Sequence, residues 1–265
     1  MRPLKFHPIL KQTLWGGERI IPYKELASGL SRVGESWELS GMPGSESVVA
    51  EGPWAGSTLS ELIGRFGAEL LGKANYARFG QEFPLLVKFI DAREDLSIQV
   101  HPDDELARKR HGKSGKCEMW YVLEAEPGAS LLTGFSRPIA PAEYERRVAD
   151  NTLTDVLNRQ AIASGDVFYL PAGRVHSIGK GSFIVEIQQS SDITYRIYDF
   201  DRRDAAGNSR ELHTELAREA IDFESSENSR ITYAPENNQE VRLVTTPYFT
   251  TSLYTLTLSL IHISE

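Results

Sequence analysis

The chain has a single cysteine, Cys117, in 265 residues. An intramolecular disulfide is therefore impossible and a thiolate metal cluster is excluded, so any metal must be held by histidine, carboxylate or amide groups. No run approaches the roughly 18 apolar residues that a membrane span needs, and Met1 to Gly17 lacks the apolar core of a secretory signal. No long basic run occurs either. With a formal net charge of −8, nucleic acid is a poor candidate for the main partner. These absences predict a cytoplasmic protein with neither membrane nor nucleic-acid partner. The oligomeric state is not legible, and a monomer is the default expectation. An anionic small molecule stays compatible with the acidic balance if a few cations converge locally.

The composition that is present, 40% hydrophobic and 25% charged, is that of an ordinary globular protein large enough for one large domain or two smaller ones. Its most informative stretch is Leu96-Ser97-Ile98-Gln99-Val100-His101-Pro102-Asp103-Asp104. In an extended strand, Leu96, Ile98 and Val100 share one face while Ser97, Gln99 and His101 share the other. A row of three polar groups is costly to bury without partners, and a metal ion or polar ligand is the usual reason to keep one.

Residues 1–57 read as short strands and turns, among them Ser36–Ser40 and Ser47–Ala50, with Trp15-Gly16-Gly17 as a turn beneath an aromatic lid. A helix follows, capped by Ser57 or Thr58, with Leu59, Leu62, Ile63 and Phe66 at helical spacing. Phe83–Ile90 reads as a strand buried on both faces and interrupted by Lys88, which is either a functional cation or a lysine reaching out at a strand end. Asp103 or Asp104 caps a short helix, and on the strand Lys116–Leu123 the side chains of Lys116 and Glu118 share a face. The spacing of Tyr144, Val148, Leu153, Val156 and Leu157 predicts a helical insertion over 139–160, with strand resuming at Ala161–Ser164.

The block Gly165-Asp166-Val167-Phe168-Tyr169-Leu170-Pro171-Ala172-Gly173-Arg174-Val175-His176 resembles the second motif of the cupin superfamily. The resemblance implies a mainly β fold, a jelly-roll barrel or β-sandwich with helical insertions. Gln99-x-His101 on one strand, Lys116-x-Glu118 on the next and a later Gly173-x-x-His176 narrow the match. With Trp15-Gly16-Gly17, Gly34-Glu35-Ser36-Trp37-Glu38, His176–Gly181 and Ser191–Arg196, the chain resembles type I mannose-6-phosphate isomerases.

That resemblance implies one zinc ion per chain, with ligands at Gln99, His101, Glu118 and His176. Two imidazoles, a carboxylate and an amide oxygen suit zinc, and would also fit iron, cobalt or manganese. Gln99, as an amide, could instead stand behind the ligands. The family's essential arginine falls on Arg196, with Asp192 four positions before it, and Ser97, Lys88 and Lys116 fall on substrate-pocket positions. Glu186, on the strand Phe183–Gln188, can project into the same cavity. The implied reaction interconverts mannose 6-phosphate and fructose 6-phosphate through an enediolate. Glu186 is the first candidate base and Lys116 the second, while Ser97, Lys116 and Lys88 are expected to meet the phosphate. Iron held by the same ligands in an oxygenase, and a non-catalytic sugar-binding module, are the alternatives.

The polar segment from about Glu224 to Glu240 reads as a linker. We expect a catalytic unit over 1–235, and over 236–265 the beginning of a second β-sandwich cut short. Its last strand is expected to lack partners, and Leu258–Glu265 to be a foreign tail.

Overall fold

The computed structural model describes residues 3–204, 206–224 and 228–257. Along the chain the strands are β1 (Ile9–Gly17), β2 (Val33–Ser40), β3 (Leu85–Ala92), β4 (Ile98–Val100), β5 (Glu118–Ala125), β6 (Ser130–Phe135) and β7 (Leu157–Ala161). They continue as β8 (Val167–Leu170), β9 (His176–Ile178), β10 (Ser182–Gln189), β11 (Tyr195–Tyr198), β12 (Arg230–Ile231), β13 (Glu240–Thr245) and β14 (Thr250–Tyr254). A seven-stranded sheet, ordered β1-β2-β3-β10-β5-β8-β12, faces a five-stranded one, ordered β11-β4-β9-β6-β7. This is the expected mainly β sandwich.

Side-chain alternation assigns the layers. Ile90, Trp120, Val122, Phe168, Leu170 and Ile184 of the larger sheet meet Leu131 and Ile178 of the smaller one in the space between. On the outer face of the smaller sheet, Ile98, Val100, Leu132, Phe135, Tyr195 and Ile197 bury against Ala107, Tyr144 and Ala217, one from each of the helices Asp104–His111, Pro141–Ala149 and Thr214–Ala220. The hairpin β13–β14 lays Leu243, Val244 and Phe249 over Met119 and Val167, on the outside of the larger sheet. Each large apolar side chain so enclosed contributes roughly 1.5–3 kcal/mol.

Local signals explain several boundaries. Thr58 and Glu61 form a reciprocal capping box at the start of the Leu59–Phe66 helix. Asp103 caps the Asp104–His111 helix through a 2.8 Å bond from Leu106 N–H. Other expectations need correction. Trp15-Gly16-Gly17 belongs to β1 and is not a turn, because Gly16 pairs with Ala92 and Gly17 with Val33; Gly16 also lies so close to Arg32 and Gly34 that only a hydrogen side chain fits. Ser47–Ala50 makes only isolated bridges. The helix over 139–160 ends at Ala149, and Leu157–Ala161 is strand β7, whose Asn158-Arg159-Gln160 face carries no apolar alternation to betray it. The polar segment near residue 230 is not only a linker, since Arg230 and Ile231 pair with Phe168 and Val167. The strand at 240–245 is paired within its hairpin, and Leu258–Glu265 lies outside the described residues.

Candidate metal centre and substrate cavity

On the smaller sheet, alternation turns Gln99 and His101 inward, while Ile98 and Val100 pack outward. Leu96 departs from that pattern. It precedes the strand and joins the core between the sheets, on the same side as Ser97. Pairing then sets Arg196 of β11, Gln99 of β4 and His176 of β9 in one row. On the larger sheet a second row forms: Glu186 of β10 faces Lys88 of β3 on one side and Trp120 of β5 on the other. Glu118 sits one pleat away, opposite Gln188.

His101, Glu118 and His176 converge, with one ligand atom from each lying within 4.8 Å of the others. Glu118 Oε2 is 3.5 Å from His101 Nε2, and Oε1 is 3.3 Å from His176 Nε2. The Nδ1–H of His101 donates to Ile193 O at 2.8 Å and that of His176 to Arg174 O at 2.8 Å. Main-chain carbonyls thereby leave both Nε2 lone pairs facing the centre. His101 Nε2 and Glu118 Oε1 are buried without a hydrogen-bond partner, a cost of about 1–3 kcal/mol each if nothing else satisfied them, while Glu118 Oε2 has the Lys116 ammonium at 3.0 Å. A divalent ion bound tetrahedrally at about 2.0–2.2 Å would place its ligands about 3.3–3.6 Å apart, which the two separations between Glu118 and the histidines match. The residues therefore fit a metal.

The electrostatics agree. Burial pushes the His101 imidazole down to about 3, with the Lys116 charge adding to it, and burial also lowers His176. Both rings stay neutral, as a metal requires. Burial alone would raise Glu118, but Lys116, whose Nζ is 3.0 Å from Oε2, holds it well below the usual carboxylate range. Gln99 lies beside the centre, with Nε2 3.3 Å from His176 Nε2 and Oε1 accepting from Ser97 Oγ at 3.3 Å. A half-turn of the amide would present oxygen at the same point.

A polar cavity of about 200 Å³ adjoins the centre, lined by Ser97, Gln99, Lys116, Lys88, Glu186 and Arg196 together with Glu35 and Arg210. Lys88 does not reach out to solvent: its Nζ is 3.0 Å from Glu186 Oε1 and 3.9 Å from Glu35 Oε2. Although burial opposes it, Glu186 and Glu35 hold the ammonium above the usual lysine value. Trp120 Nε1–H donates to the other Glu186 oxygen at 2.7 Å. Trp37 likewise donates to Glu35 at 2.6 Å. Asp192 is the one predicted residue placed elsewhere, because its loop turns the carboxylate outward onto Lys113 at 3.0 Å, about half exposed. Glu35 and Arg210 are cavity residues to which sequence reasoning gave no role. Glu35 stands within the quoted Gly34–Glu38 motif, whereas Arg210 had no signal.

Residues 4–134 match the family model for the type I phosphomannose isomerase catalytic domain. The mannose-6-phosphate isomerase ManA of Bacillus subtilis is 39% identical over 224 residues, 84% of this chain and 69% of that relative. The chain belongs to the type I phosphomannose isomerase family. Another family member, the mannose-6-phosphate isomerase of Streptococcus mutans, is 37% identical over 251 residues, covering 94% of this chain and 77% of its own. A crystal structure of the mannose 6-phosphate isomerase from Bacillus subtilis superposes with a TM-score of 0.86 at 33% identity, over 94% of this chain and 79% of that one. Among the described residues, no helix is long and apolar enough to cross a membrane.

Proposed function

We propose that this chain interconverts mannose 6-phosphate and fructose 6-phosphate with one zinc ion, held by His101, Glu118 and His176 with Gln99 as the fourth ligand. The observation that carries the reading is the neutral, carbonyl-locked imidazole pair with an ionised Glu118 whose oxygens face both rings, opening onto a cavity that holds a buried Lys88–Glu186–Trp120 row. Zinc, when bound, supplies Lewis-acid polarisation of a sugar oxygen.

The chain's own groups account for the rest. Isomerisation moves a proton between C1 and C2 of the sugar, and Glu186 is the base that takes it from one carbon and returns it to the other. Lys88 and Trp120 hold its two oxygens and fix the carboxylate's direction. Arg196, opposite Gln99, is an always-charged donor for the developing enediolate oxygen. Lys116 is the second candidate for the proton, and Ser97 offers a hydroxyl on the cavity wall. An oxygen-activating cupin or a passive sugar-binding module has no need of this Glu186–Lys88–Arg196 arrangement. We assign the chemistry to residues 1–235, and 236–265 to a further β unit.

The test is a coupled assay for fructose 6-phosphate formed from mannose 6-phosphate, before chelation, after it, and after zinc is restored. Activity that chelation abolishes and zinc returns supports the proposal. A folded, zinc-loaded chain without activity overturns it.

A further inference from the structure

The cavity has two electrically different ends. Around the metal centre the lysines are spent: Lys88 lies on Glu186 at 3.0 Å and Lys116 on Glu118 at 3.0 Å, with Glu35 a third carboxylate nearby. Along β11 the balance reverses. Three guanidiniums, those of Arg196, Arg202 and Arg210, gather around Asp199, with the exposed Glu211 carboxylate as a further acidic neighbour of Arg196. Asp199 accepts from Arg210 Nε at 2.7 Å and from Arg210 Nη2, and from Arg202 Nη2 at 2.5 Å. The Arg210 side chain is held as a fork, yet stays 31% exposed. Among the described residues its Nη1 has no hydrogen-bond partner. Arg196 donates through Nη1 to Glu211 O at 2.9 Å, and its buried Nε has no partner. Both guanidiniums line the cavity, and Arg202 does not.

We propose that Arg210 receives the phosphoryl group of the substrate, while Arg196 stays with the enediolate oxygen and Lys88 and Lys116 remain on their carboxylates and do not serve it. The inference rests on the isomerase reading for the identity of the substrate, but it concerns the anion alone. A phosphoryl dianion placed at the lysine end would have to displace Glu186 or Glu118 from buried pairs. At the arginine end it meets fixed donors, three guanidiniums against the buried Asp199 and the exposed Glu211, so positive charge remains in excess. Asp199 acts there as a positioning residue, holding one edge of Arg210 so that the free edge faces the cavity.

The experiment compares the zinc-loaded full chain with Arg210→Gln and Arg210→Lys, measuring KM and kcat for mannose 6-phosphate, competitive inhibition by inorganic phosphate, and direct phosphate binding by calorimetry. Loss of a charge-assisted contact to phosphate predicts, for Arg210→Gln, at least about a 10-fold rise in KM and an equal weakening of phosphate inhibition, with kcat changed less than about threefold. Arg210→Lys, which keeps the charge but loses the fork, should fall between, and it serves alone if the glutamine variant does not fold. KM and phosphate inhibition both within about twofold of wild type would overturn the proposal. So would a raised KM with unchanged phosphate inhibition, since Arg210 would then only shape the site. If the wild-type chain proves inactive, the isomerase reading fails separately. Phosphate binding lost in the variant would still support the anion site, and equal binding would overturn it.

Discussion

Lys88→Met removes a buried ammonium and keeps most of the side-chain volume. In the wild type, the group is 7% exposed and faces Glu186, itself 3% exposed. Breaking one partner out of a buried ion pair costs about 3–5 kcal/mol, because the remaining charge is stranded in low dielectric. Here Trp120 still donates to one Glu186 oxygen and Lys116 stands 3.9 Å from the other, so the lower end, about 3 kcal/mol, is expected. At about 2–4 °C per kcal/mol for a chain of this size, the melting temperature should fall by roughly 6–12 °C. Lys88 is held above its ordinary value in the fold, so its contribution is complete below the unfolded lysine pKa and is lost only as pH rises beyond it. The gap between variant and wild type should therefore be flat from neutral pH upward and begin to close above about pH 10.4. Urea unfolding followed by tryptophan fluorescence, with thermal melts at several pH values, measures both. A loss below about 1 kcal/mol, or a gap that closes between pH 6 and 8, would refute the buried-pair argument.

Two further outcomes follow from the geometry. A Cβ on Gly115 would lie 2.4 Å from the Asp103 carbonyl carbon and 2.5 Å from Asp104 N. Gly115→Ala must therefore push apart the segments carrying His101 and Glu118, and zinc affinity by chelator competition should weaken at least about 10-fold; unchanged affinity would contradict this. Burial opposes ionisation of Asp199, but Arg210 and Arg202 hold its carboxyl below the usual range, so its contribution is present above the ordinary aspartate pKa and fades on acidification. Asp199→Asn should melt below wild type at pH 7 and converge with it below about pH 4, and melting curves that stay parallel throughout would count against the pair.

How far the chain could be read without coordinates depended on whether local spacing or distant pairing decided the outcome. The inward turn of Gln99 and His101 follows from alternation within one strand, and the glycines and proline of the Gly165–His176 block mark the turns on either side of β8. The Lys88–Glu186–Trp120 row is different in kind. Each residue can be assigned to a strand face, but only the register of β3, β10 and β5, strands separated by long stretches of chain, brings them together. The two edge strands missed, β7 and β12, are short and polar on their exposed sides, so they lack the apolar pattern that marks a strand. Arg210 sits in an aperiodic loop after β11 and acquires its place only because Asp199 reaches across 11 residues to hold it.

The carbonyl anchors of His101 and His176 bear on how the protein responds to its metal. Because the main-chain carbonyls of Ile193 and Arg174, just ahead of β11 and β9, fix the ring orientations, metal loading is expected to be an equilibrium on a socket that the backbone holds. Zinc then protects against unfolding by mass action alone, by about 2.7 kcal/mol at 100 times its dissociation constant, in contrast to small domains whose folding is the metal-binding event. The ion should be removable and exchangeable for cobalt or manganese in the native state, with the far-ultraviolet circular dichroism unchanged at every step.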